Sequence, residues 1–452
     1  MQSLELEGNA VDDDGHPRRT GTLWSCIAHI ITAVVGAGVL SLAWSVAQLG
    51  WIAGPVSLLC FAVITCVSAF LLAECYRGLD PITGKRNYSY MEAVGVYMGQ
   101  KRMIACGLLQ FVNLYGTSIA YVITCAASIR IQTVTTKRAA TGPVISTSGA
   151  YMLFFGGCQI VMSFIPDFHS MMWVSAVAAI MSFAYSFIGL GLGFAKVLEN
   201  RRVKGGIAGA PATNAQKKLW NVFEALGDIA FAYPYSKILL EIQVNGYLKV
   251  PSAENKTMKN ASVVATLSIT FLYVGCGCFG YAAFGDETPA NLLTGFGFFE
   301  PYWLVDLANA CIVLHLVGGY QVYSQPIFST SERWIMNNFP DSRFVNGFRS
   351  VKLPFLPTLW INLMKFVLRT SYVMSTMGIA LVFPYFNSVV GVLGALDFWP
   401  LAIYFPVEMY IVQKKITQWT RTWVVLQSFS YICLGITVLG PLGSLEGLVH
   451  SE

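Results

Sequence analysis

A series of long apolar stretches constrains this chain more than any other feature. Eleven of them recur along 452 residues, and only short polar segments separate them. About 20 apolar residues in a helix span the hydrocarbon core of a bilayer. Charged residues make up 12% of the chain, well below the soluble average of about 25%. These observations predict an all-α integral membrane protein and exclude a soluble enzyme, a disordered protein and a nucleic-acid binder.

The predicted spans divide the chain into a polar tail at 1–23, a transmembrane domain at 24–448 and a short carboxyl-terminal segment at 449–452. No apolar leader region precedes the first span, so we expect that span itself to direct insertion. The eleven predicted spans cover residues 24–50, 52–76, 103–132, 149–165, 170–196, 220–243, 261–284, 301–330, 366–386, 388–412 and 422–448.

The basic residues predict how the chain is oriented in the membrane. With the amino terminus in the cytoplasm, 19 of the 29 Lys and Arg fall in inside segments and nine fall outside, while Lys237 lies within a span. Cytoplasmic loops are enriched in Lys and Arg. We therefore expect a cytoplasmic amino terminus and, after eleven spans, an extracellular carboxyl terminus.

Two spans carry helix-breaking residues near mid-depth. Gly36 and Gly38 lie in the middle of span one, and Pro234 follows Gly227 and Asp228 in span six. Backbone polar groups in hydrocarbon must be satisfied, so such residues mark places where protein or a cavity supplies the partners. The two spans are five apart, which is the relation expected if spans one to five and spans six to ten form an inverted repeat.

An unwound helix offers binding groups for a zwitterion. One half-helix start presents N–H groups and partial positive charge, and the other half-helix end presents carbonyls. A free amino acid has a carboxylate for the first and an ammonium for the second. The alternative is that glycines at this spacing form a close-packing face between helices. Two corresponding breaks favour a substrate site, because packing glycines have no reason to pair across a repeat.

Several long motifs follow one another in order along the chain. They are His29–Trp44 with Gln48–Gly54, Gly84–Tyr88, Gly227–Tyr233, Gly297–Pro301, Phe398–Pro400 and Tyr404–Met409. Together they resemble the motifs of plant amino acid permeases, which belong to the amino acid/auxin permease family. The resemblance extends from about residue 18 to residue 447.

The resemblance implies an eleven-span protein with a leucine-transporter-like fold, built as a 5+5 inverted repeat plus one extra helix. It implies a proton-coupled symporter that imports amino acids across the plasma membrane by alternating access. The implied partners are an amino acid, protons and the lipid bilayer, with no cofactor, no nucleic acid and no obligate protein partner. Alternatives are an amino-acid sensor with little transport and a carrier of a related solute such as auxin.

The resemblance also implies site residues. The backbone of Gly36, Ala37 and Gly38 would bind the substrate carboxylate, and Phe231, Ala232 and Tyr233 would present carbonyls and a side-chain wall. Spans three and eight flank the site in this fold. They carry the further lining candidates Asn113, Tyr115, Asn309 and His315.

Three residues depart from the pattern of such permeases. Pro234 and Lys237 stand where small or apolar residues are usual, and Asp397 stands where a small uncharged residue is usual. These departures mark positions where specificity or coupling differs from that of other members. The sequence does not rank neutral, acidic and basic amino acids as substrates.

Ionisable residues inside spans are costly and are functional candidates by default. Asp228 is the leading proton carrier because it adjoins the break that would bind substrate, and a buried carboxyl holds a proton more readily. A structural role at the end of the broken helix is the alternative for Asp228, and His29 and His315 are alternative proton carriers. Lys237 lies about 25 Å from the outer start of span six at 1.5 Å per residue. We therefore expect it near the cytoplasmic face and not paired with Asp397; an ion pair with Glu241 on the same helical face is the alternative.

An enzymatic function is not expected. The chain has neither a paired-histidine zinc motif nor a nucleophile elbow, which are typical of hydrolases. A sensor would need a cytoplasmic signalling region, and the predicted inside segments offer only a tail of 23 residues and one stretch of 35. Transport is therefore favoured over both alternatives.

Overall fold

A computed structural model shows a nearly all-helical chain. The structure describes residues 22–78, 85–138, 148–164, 168–245, 254–296, 302–351, 359–383 and 386–449. The helices are α1 (Leu23–Val34), α2 (Leu42–Glu74), α3 (Tyr90–Met98), α4 (Gln100–Arg138), α5 (Ser148–Met162), α6 (Phe168–Asn200), α7 (Ala215–Ala232), α8 (Ser236–Asn245), α9 (Glu254–Phe284), α10 (Leu292–Gly295), α11 (Tyr302–Asn338), α12 (Arg343–Asn346), α13 (Leu363–Val382), α14 (Phe386–Asp397), α15 (Phe405–Gln413) and α16 (Arg421–Val449).

Short irregular elements connect these helices. Two 3-10 turns cover Ala37–Leu40 and Gly285–Glu287, and a π-helical segment covers Phe398–Tyr404. Strands β1 (Phe348–Val351) and β2 (Leu359–Asn362) pair antiparallel. The sequence did not predict this hairpin, because the predicted inside stretch at 331–365 carries no alternation of apolar and polar residues clear enough to indicate strands.

Long apolar helices dominate the described part of the chain. Seven helical segments there are long and apolar enough to cross a membrane, and they belong to α2, α4, α6, α9, α11, the α14–α15 unit and α16. Leu23–Val34 and Gly149–Met162 are shorter apolar helices. The integral membrane class is confirmed, and the total of eleven spans stays a prediction. Large apolar side chains such as Val63, Leu108 and Phe271 are exposed along these helices, as a lipid-facing surface requires.

The helices pack so that spans from the two predicted repeats contact each other. Helix α2 packs against α9, both α4 and α6 pack against α11, and α7 packs against α14 and α16. Tyrosines account for most of the largest fully buried side chains: Tyr90, Tyr121, Tyr185, Tyr233, Tyr235, Tyr273, Tyr281 and Tyr320. A buried phenol usually has a hydrogen-bond partner, and the hydroxyls of Tyr90, Tyr185 and Tyr273 donate to backbone carbonyls at irregular segments.

A sharp kink at Gly50 divides α2 into the end of span one and the whole of span two. Gly50 has φ 84°, and a Cβ there would lie 2.1 Å from Ile207 O. Only glycine combines a left-handed backbone with such close approach. Gly209, with φ 74°, faces it from the segment 201–214, and a Cβ there would lie 2.5 Å from Ala47 O. The predicted boundary between spans at residues 50–52 coincides with this kink.

The segment 201–214, between α6 and α7, is bonded to the backbone around the kink. Ala210 N donates to Ala47 O at 2.8 Å, and Trp51 N donates to Gly206 O at 3.3 Å. Lys218 Nζ adds a bond of 2.7 Å to Gln48 O, at the carbonyl end of the helix that precedes Gly50. The segment is therefore fixed to the end of span one.

Span ten contains the π-helical segment directly after Asp397. Pro400 has no N–H to donate, which favours a wider turn. The displaced backbone groups find other partners: Trp399 N donates to Thr437 Oγ1 at 2.9 Å, and Leu401 O accepts from the Tyr90 hydroxyl at 2.6 Å. The irregular turn places Asp397 where α14 ends.

Candidate functional site

Span one is broken at the predicted position. Helix α1 ends at Val34, a 3-10 turn begins at Ala37, and α2 begins at Leu42. Gly36 has φ −115° and ψ −147°, which is far from helical geometry. A Cβ at Gly36 would lie 2.7 Å from the Tyr121 hydroxyl. The break is therefore enclosed closely by side chains.

The carbonyls that this break frees are bonded to hydroxyl groups. The donors come from α6, α9 and α11: Tyr323 to Ala33 O, Tyr273 to Val34 O at 2.7 Å, Ser182 to Val35 O at 2.9 Å, and Tyr185 to Val35 O at 3.0 Å and to Gly36 O at 3.1 Å. We call these four residues the hydroxyl cage. Val35 O accepts from two hydroxyl groups, so both of its lone pairs are used. The cage therefore satisfies and fixes the backbone of the break.

Span six is broken at Tyr233, Pro234 and Tyr235. Helix α7 ends at Ala232 and α8 begins at Ser236. Pro234 lacks the N–H that would continue the helix. The sequence predicted this break, and the structure places it directly beside the first.

The two breaks touch each other. A Cβ at Gly38 would lie 3.2 Å from Ala232 Cβ and 3.7 Å from the Phe231 ring. The Tyr273 hydroxyl reaches both, because it bonds Val34 O at 2.7 Å and Ala232 O at 3.2 Å. A side chain larger than hydrogen at position 38 would therefore push the two spans apart.

Two adjoining pockets lie at the breaks. The first, here named the cradle, is lined by Gly36, Gly38, Tyr121, Ala232 and Tyr323 among others. The second, named the side pocket, is lined by Asn113, Ser236, Gly394, Asp397 and Leu401 among others. Phe231, Pro234 and Lys237 line both pockets. The pockets therefore share one wall.

The structure brings five of the predicted site residues together at these pockets. Gly36, Gly38, Phe231 and Ala232 line the cradle, and Asn113 lines the side pocket. Ala37 begins the 3-10 turn between Gly36 and Gly38, and its side chain lies outside the described part.

Other predicted residues lie away from the residues that line the two pockets. Tyr233 packs its ring on Tyr273, with centroids 5.0 Å apart. The amide of Asn309 donates to Val305 O within α11 at 2.9 Å. The Tyr115 hydroxyl bonds Ser375 at 2.8 Å. His315 is fully buried and its Nδ1 lies 2.7 Å from Ser182 of the hydroxyl cage, which links it to the first break.

Asp228 lies one turn before the break in α7 and is fully buried. Its Oδ2 accepts from the Ser45 hydroxyl on α2 at 3.3 Å, and its Oδ1 has no hydrogen-bond partner among the described residues. The bond between Asp228 and Ser45 therefore connects span six to the part of span one that follows its break. Asp228 is not among the residues that line the pockets.

The expected surroundings of Lys237 were wrong. Its side chain is 7% exposed and its ammonium lies 5.4 Å from the centres of the Phe231 and Tyr323 rings. It therefore points into the pockets. Glu241 instead accepts from Tyr90 N at 3.3 Å and from Gln110 at 3.1 Å. The depth estimate assumed a straight helix, and the break redirects α8.

The hydroxyl cage is the part of the site that the sequence interpretation missed. Its members lie in spans five, seven and eight, up to 290 residues from the carbonyls that they cap. A buried tyrosine or serine in an apolar span resembles ordinary core in sequence. The repeated occurrence of tyrosine near mid-span was the available signal.

The comparison with protein families decides the class of the chain. A family described as "Transmembrane amino acid transporter protein" matches residues 19–449. The chain belongs to this family. The match confirms the resemblance found in the motifs.

Two relatives that are similar along nearly their whole length carry permease names. "Probable amino acid permease 7" of Arabidopsis thaliana is 56% identical over 447 residues, which cover 97% of this chain and 95% of the relative. "Amino acid permease 3" of the same plant is 50% identical over 444 residues, covering 97% and 93%. Permeases are transporters and not enzymes, as predicted for this family member.

A solved structure has the same fold. The crystal structure of MhsT in complex with L-phenylalanine matches with a TM-score of 0.60 and 10% identity, covering 95% of this chain and all of the other. MhsT has the leucine-transporter fold, so the predicted fold of this family member is confirmed.

Proposed function

We propose that this family member is a proton-coupled symporter that imports amino acids across the plasma membrane by alternating access. The observation that carries the proposal is the contact between two broken spans at one pair of pockets. Membership of the amino acid transporter family supports the substrate class. The names of the permease relatives support it as well.

The cradle fits the common part of all amino acids. The turn that begins at Ala37 follows the end of α1, so its N–H groups are the donors proposed for the substrate carboxylate. The end of α7 at Ala232 presents carbonyls of the opposite partial charge, which suit the ammonium. The hydroxyl cage holds the first break in shape before substrate arrives, which lowers the cost of ordering the site on binding.

The proposed direction follows from the charge bias. A cytoplasmic amino terminus and an extracellular carboxyl terminus are our proposal from the distribution of Lys and Arg. With that orientation, Asp228 lies on the outer side of the break in span six, where an external proton arrives first. Protonation there would change its bond to Ser45 and therefore the contact between spans one and six.

The experiment is electrophysiology in oocytes. The chain is expressed without sodium in the bath, and a panel of amino acids is applied at an external pH of about 5.5 and then about 7.5. The expected result is an inward current on amino acid addition that grows with acidity, since each substrate enters with protons.

Surface biotinylation provides the control for delivery to the membrane. A chain that reaches the surface and takes up labelled amino acid without any pH dependence contradicts proton coupling. A chain at the surface that takes up no amino acid contradicts the transport function and favours a sensor.

A further inference from the structure

The side pocket extends the cradle towards span ten. Phe231, Pro234 and Lys237 line both pockets, so a ligand held by its backbone groups in the cradle has its side chain directed along this shared wall. The far wall of the side pocket comes from Gly394, Asp397 and Leu401 of span ten. The side pocket is therefore the place where side chains of different chemistry are distinguished.

Two opposite charges face this pocket without pairing to each other. Lys237 is 7% exposed and Asp397 is 5% exposed. Neither oxygen of Asp397 has a partner within normal hydrogen-bond geometry among the described residues, although the Asn113 side chain acts on this carboxylate. No ion pair within 4.0 Å involves the Asp397 carboxylate in this part of the chain. Buried charges without hydrogen bonds are costly, so this arrangement indicates groups that await a ligand.

The ammonium of Lys237 is likewise held without a hydrogen-bond acceptor from the described residues. Its contacts there are the faces of Phe231 and Tyr323, each 5.4 Å from ring centre to Nζ. Cation–π contacts of this kind orient an ammonium but leave its N–H donors available. The ammonium and the carboxylate of Asp397 attract one another across the pocket.

An amide oxygen adds a third unpaired group. Asn113 lies in the same pocket, is 2% exposed, and its Oδ1 has no partner among the described residues. The pocket thus offers N–H donors on one side, at Lys237, and acceptor oxygens on the other, at Asp397 and Asn113. The charges of Lys237 and Asp397 sum to zero.

Charge balance decides which side chain fits. An acidic side chain pairs with Lys237 but is repelled by Asp397, and a basic one does the reverse. Either leaves one uncompensated buried charge, which is strongly unfavourable. A neutral side chain that has both an acceptor and donors satisfies both ends at once.

We propose that Lys237 and Asp397 form a charge-balanced subsite for a carboxamide side chain, such as that of glutamine or asparagine. The carboxamide oxygen accepts from Lys237, and its NH₂ donates to Asp397 and to Asn113. This inference rests on the proposed transport of amino acids and adds the residues that select among them.

The test compares uptake of labelled glutamine, glutamate, lysine and leucine in oocytes. The parent takes up glutamine in preference to the other three substrates. Lys237→Met leaves the pocket net negative, so the lysine-to-glutamine uptake ratio rises by about tenfold. Asp397→Asn leaves it net positive, so the glutamate-to-glutamine ratio rises by about tenfold.

Ratios separate selection from folding, because a folding defect lowers uptake of all four substrates together. The double variant Lys237→Met/Asp397→Asn loses the preference of glutamine over leucine. The matched control is the exposed pair Lys196 and Glu199 on α6, which lie 3.1 Å apart. Lys196→Met and Glu199→Gln change the same charges at the surface and leave every ratio as in the parent.

Two failures are distinguishable. If the parent carries amino acids but the two single variants do not shift their ratios in opposite directions, the subsite is wrong and the transport function stands. If the parent carries none of the four substrates, both proposals are wrong.

Discussion

The two helix breaks lie side by side but are completed in opposite ways. In span one, the freed carbonyls of residues 33–36 all receive hydroxyl groups from the cage. Beyond the break in span six, the chain presents the ammonium of Lys237, which faces a carboxylate without hydrogen-bond partners among the described residues. The protein itself satisfies the first break, and we propose that a bound substrate completes the polar groups beyond the second.

This difference separates two tasks that one site must perform. The groups that every amino acid shares need a rigid, satisfied main chain, because preorganised dipoles bind charge without further ordering. The groups that differ among amino acids need protein side chains whose hydrogen-bonding groups have no partner while the site is empty. Spans one and six supply these two parts from equivalent positions of the predicted repeat.

The largest expected effect tests the contact between the breaks. Gly38→Val adds a branched side chain where Cβ alone lies 3.2 Å from Ala232 Cβ. Overpacking of this kind costs about 1–3 kcal/mol, so we expect uptake to fall by a factor between about 5 and about 150. Gly36→Val meets the Tyr121 hydroxyl in the same way.

The matched control for these variants is Gly378→Val on α13, because a Cβ at that position has no heavy atom within 4 Å. Surface labelling and radiolabelled uptake are measured for all three. Normal uptake in both Gly36→Val and Gly38→Val would show that the substrate does not bind in the cradle.

The next effect concerns Asp228, the carboxyl group that bonds span six to span one outside the pockets. Asp228→Asn keeps the shape of the side chain that bonds Ser45 and removes its titration. We expect the uptake ratio between pH 5.5 and pH 7.5 to fall to about one, while exchange of internal for external amino acid persists. Asp306→Asn on α11 serves as the control, and unchanged pH dependence in Asp228→Asn would assign the proton to another group.

A smaller effect tests the cage itself. Tyr273→Phe removes the hydroxyl that bonds both Val34 O and Ala232 O but keeps the ring. Hydrogen bonds of buried groups contribute about 1 kcal/mol each, so uptake should fall by about fivefold through a weaker apparent affinity. Tyr115→Phe loses a more exposed bond to Ser375 and should leave the apparent affinity unchanged. Equal effects of the two substitutions would show that the cage has no special role.

The smallest effect compares two glycines with the same backbone. Gly50 and Gly99 have φ 84° and 88°, but only Gly50 would place a Cβ against Ile207 O. Alanine strains both sites by about 1 kcal/mol, and Gly50→Ala adds the clash. We expect Gly50→Ala to melt several degrees below Gly99→Ala in a thermal shift assay in detergent. Equal melting temperatures would mean that the segment 201–214 separates freely from the kink.

Local signals in the sequence predicted the positions of the breaks. Glycine and proline act on their own backbone, so Gly36, Gly38 and Pro234 are readable without knowledge of tertiary structure. The family motifs added the fold and the arrangement of the repeat.

The parts that were missed depend on contacts between distant residues. Tyr273 bonds a carbonyl 239 residues away, and nothing in the sequence around it marks that partner. Lys237 and Asp397 line the same pocket, and each lies beside an irregular segment: Lys237 follows the break in span six, and the π-helical segment follows Asp397. Depth counted along a straight helix cannot represent either irregular segment.

The segment 201–214 is bonded to the Gly50 kink, so a label on this segment can report the position of span one from outside the membrane helices. Ile207 in that segment is 70% exposed, while its neighbours Gly206 and Ala210 are bonded to Trp51 N and Ala47 O. A fluorophore attached at position 207 therefore follows the end of span one without entering the cradle. The distance between this fluorophore and a second label on α16 then reports the movement of the end of span one during the transport cycle.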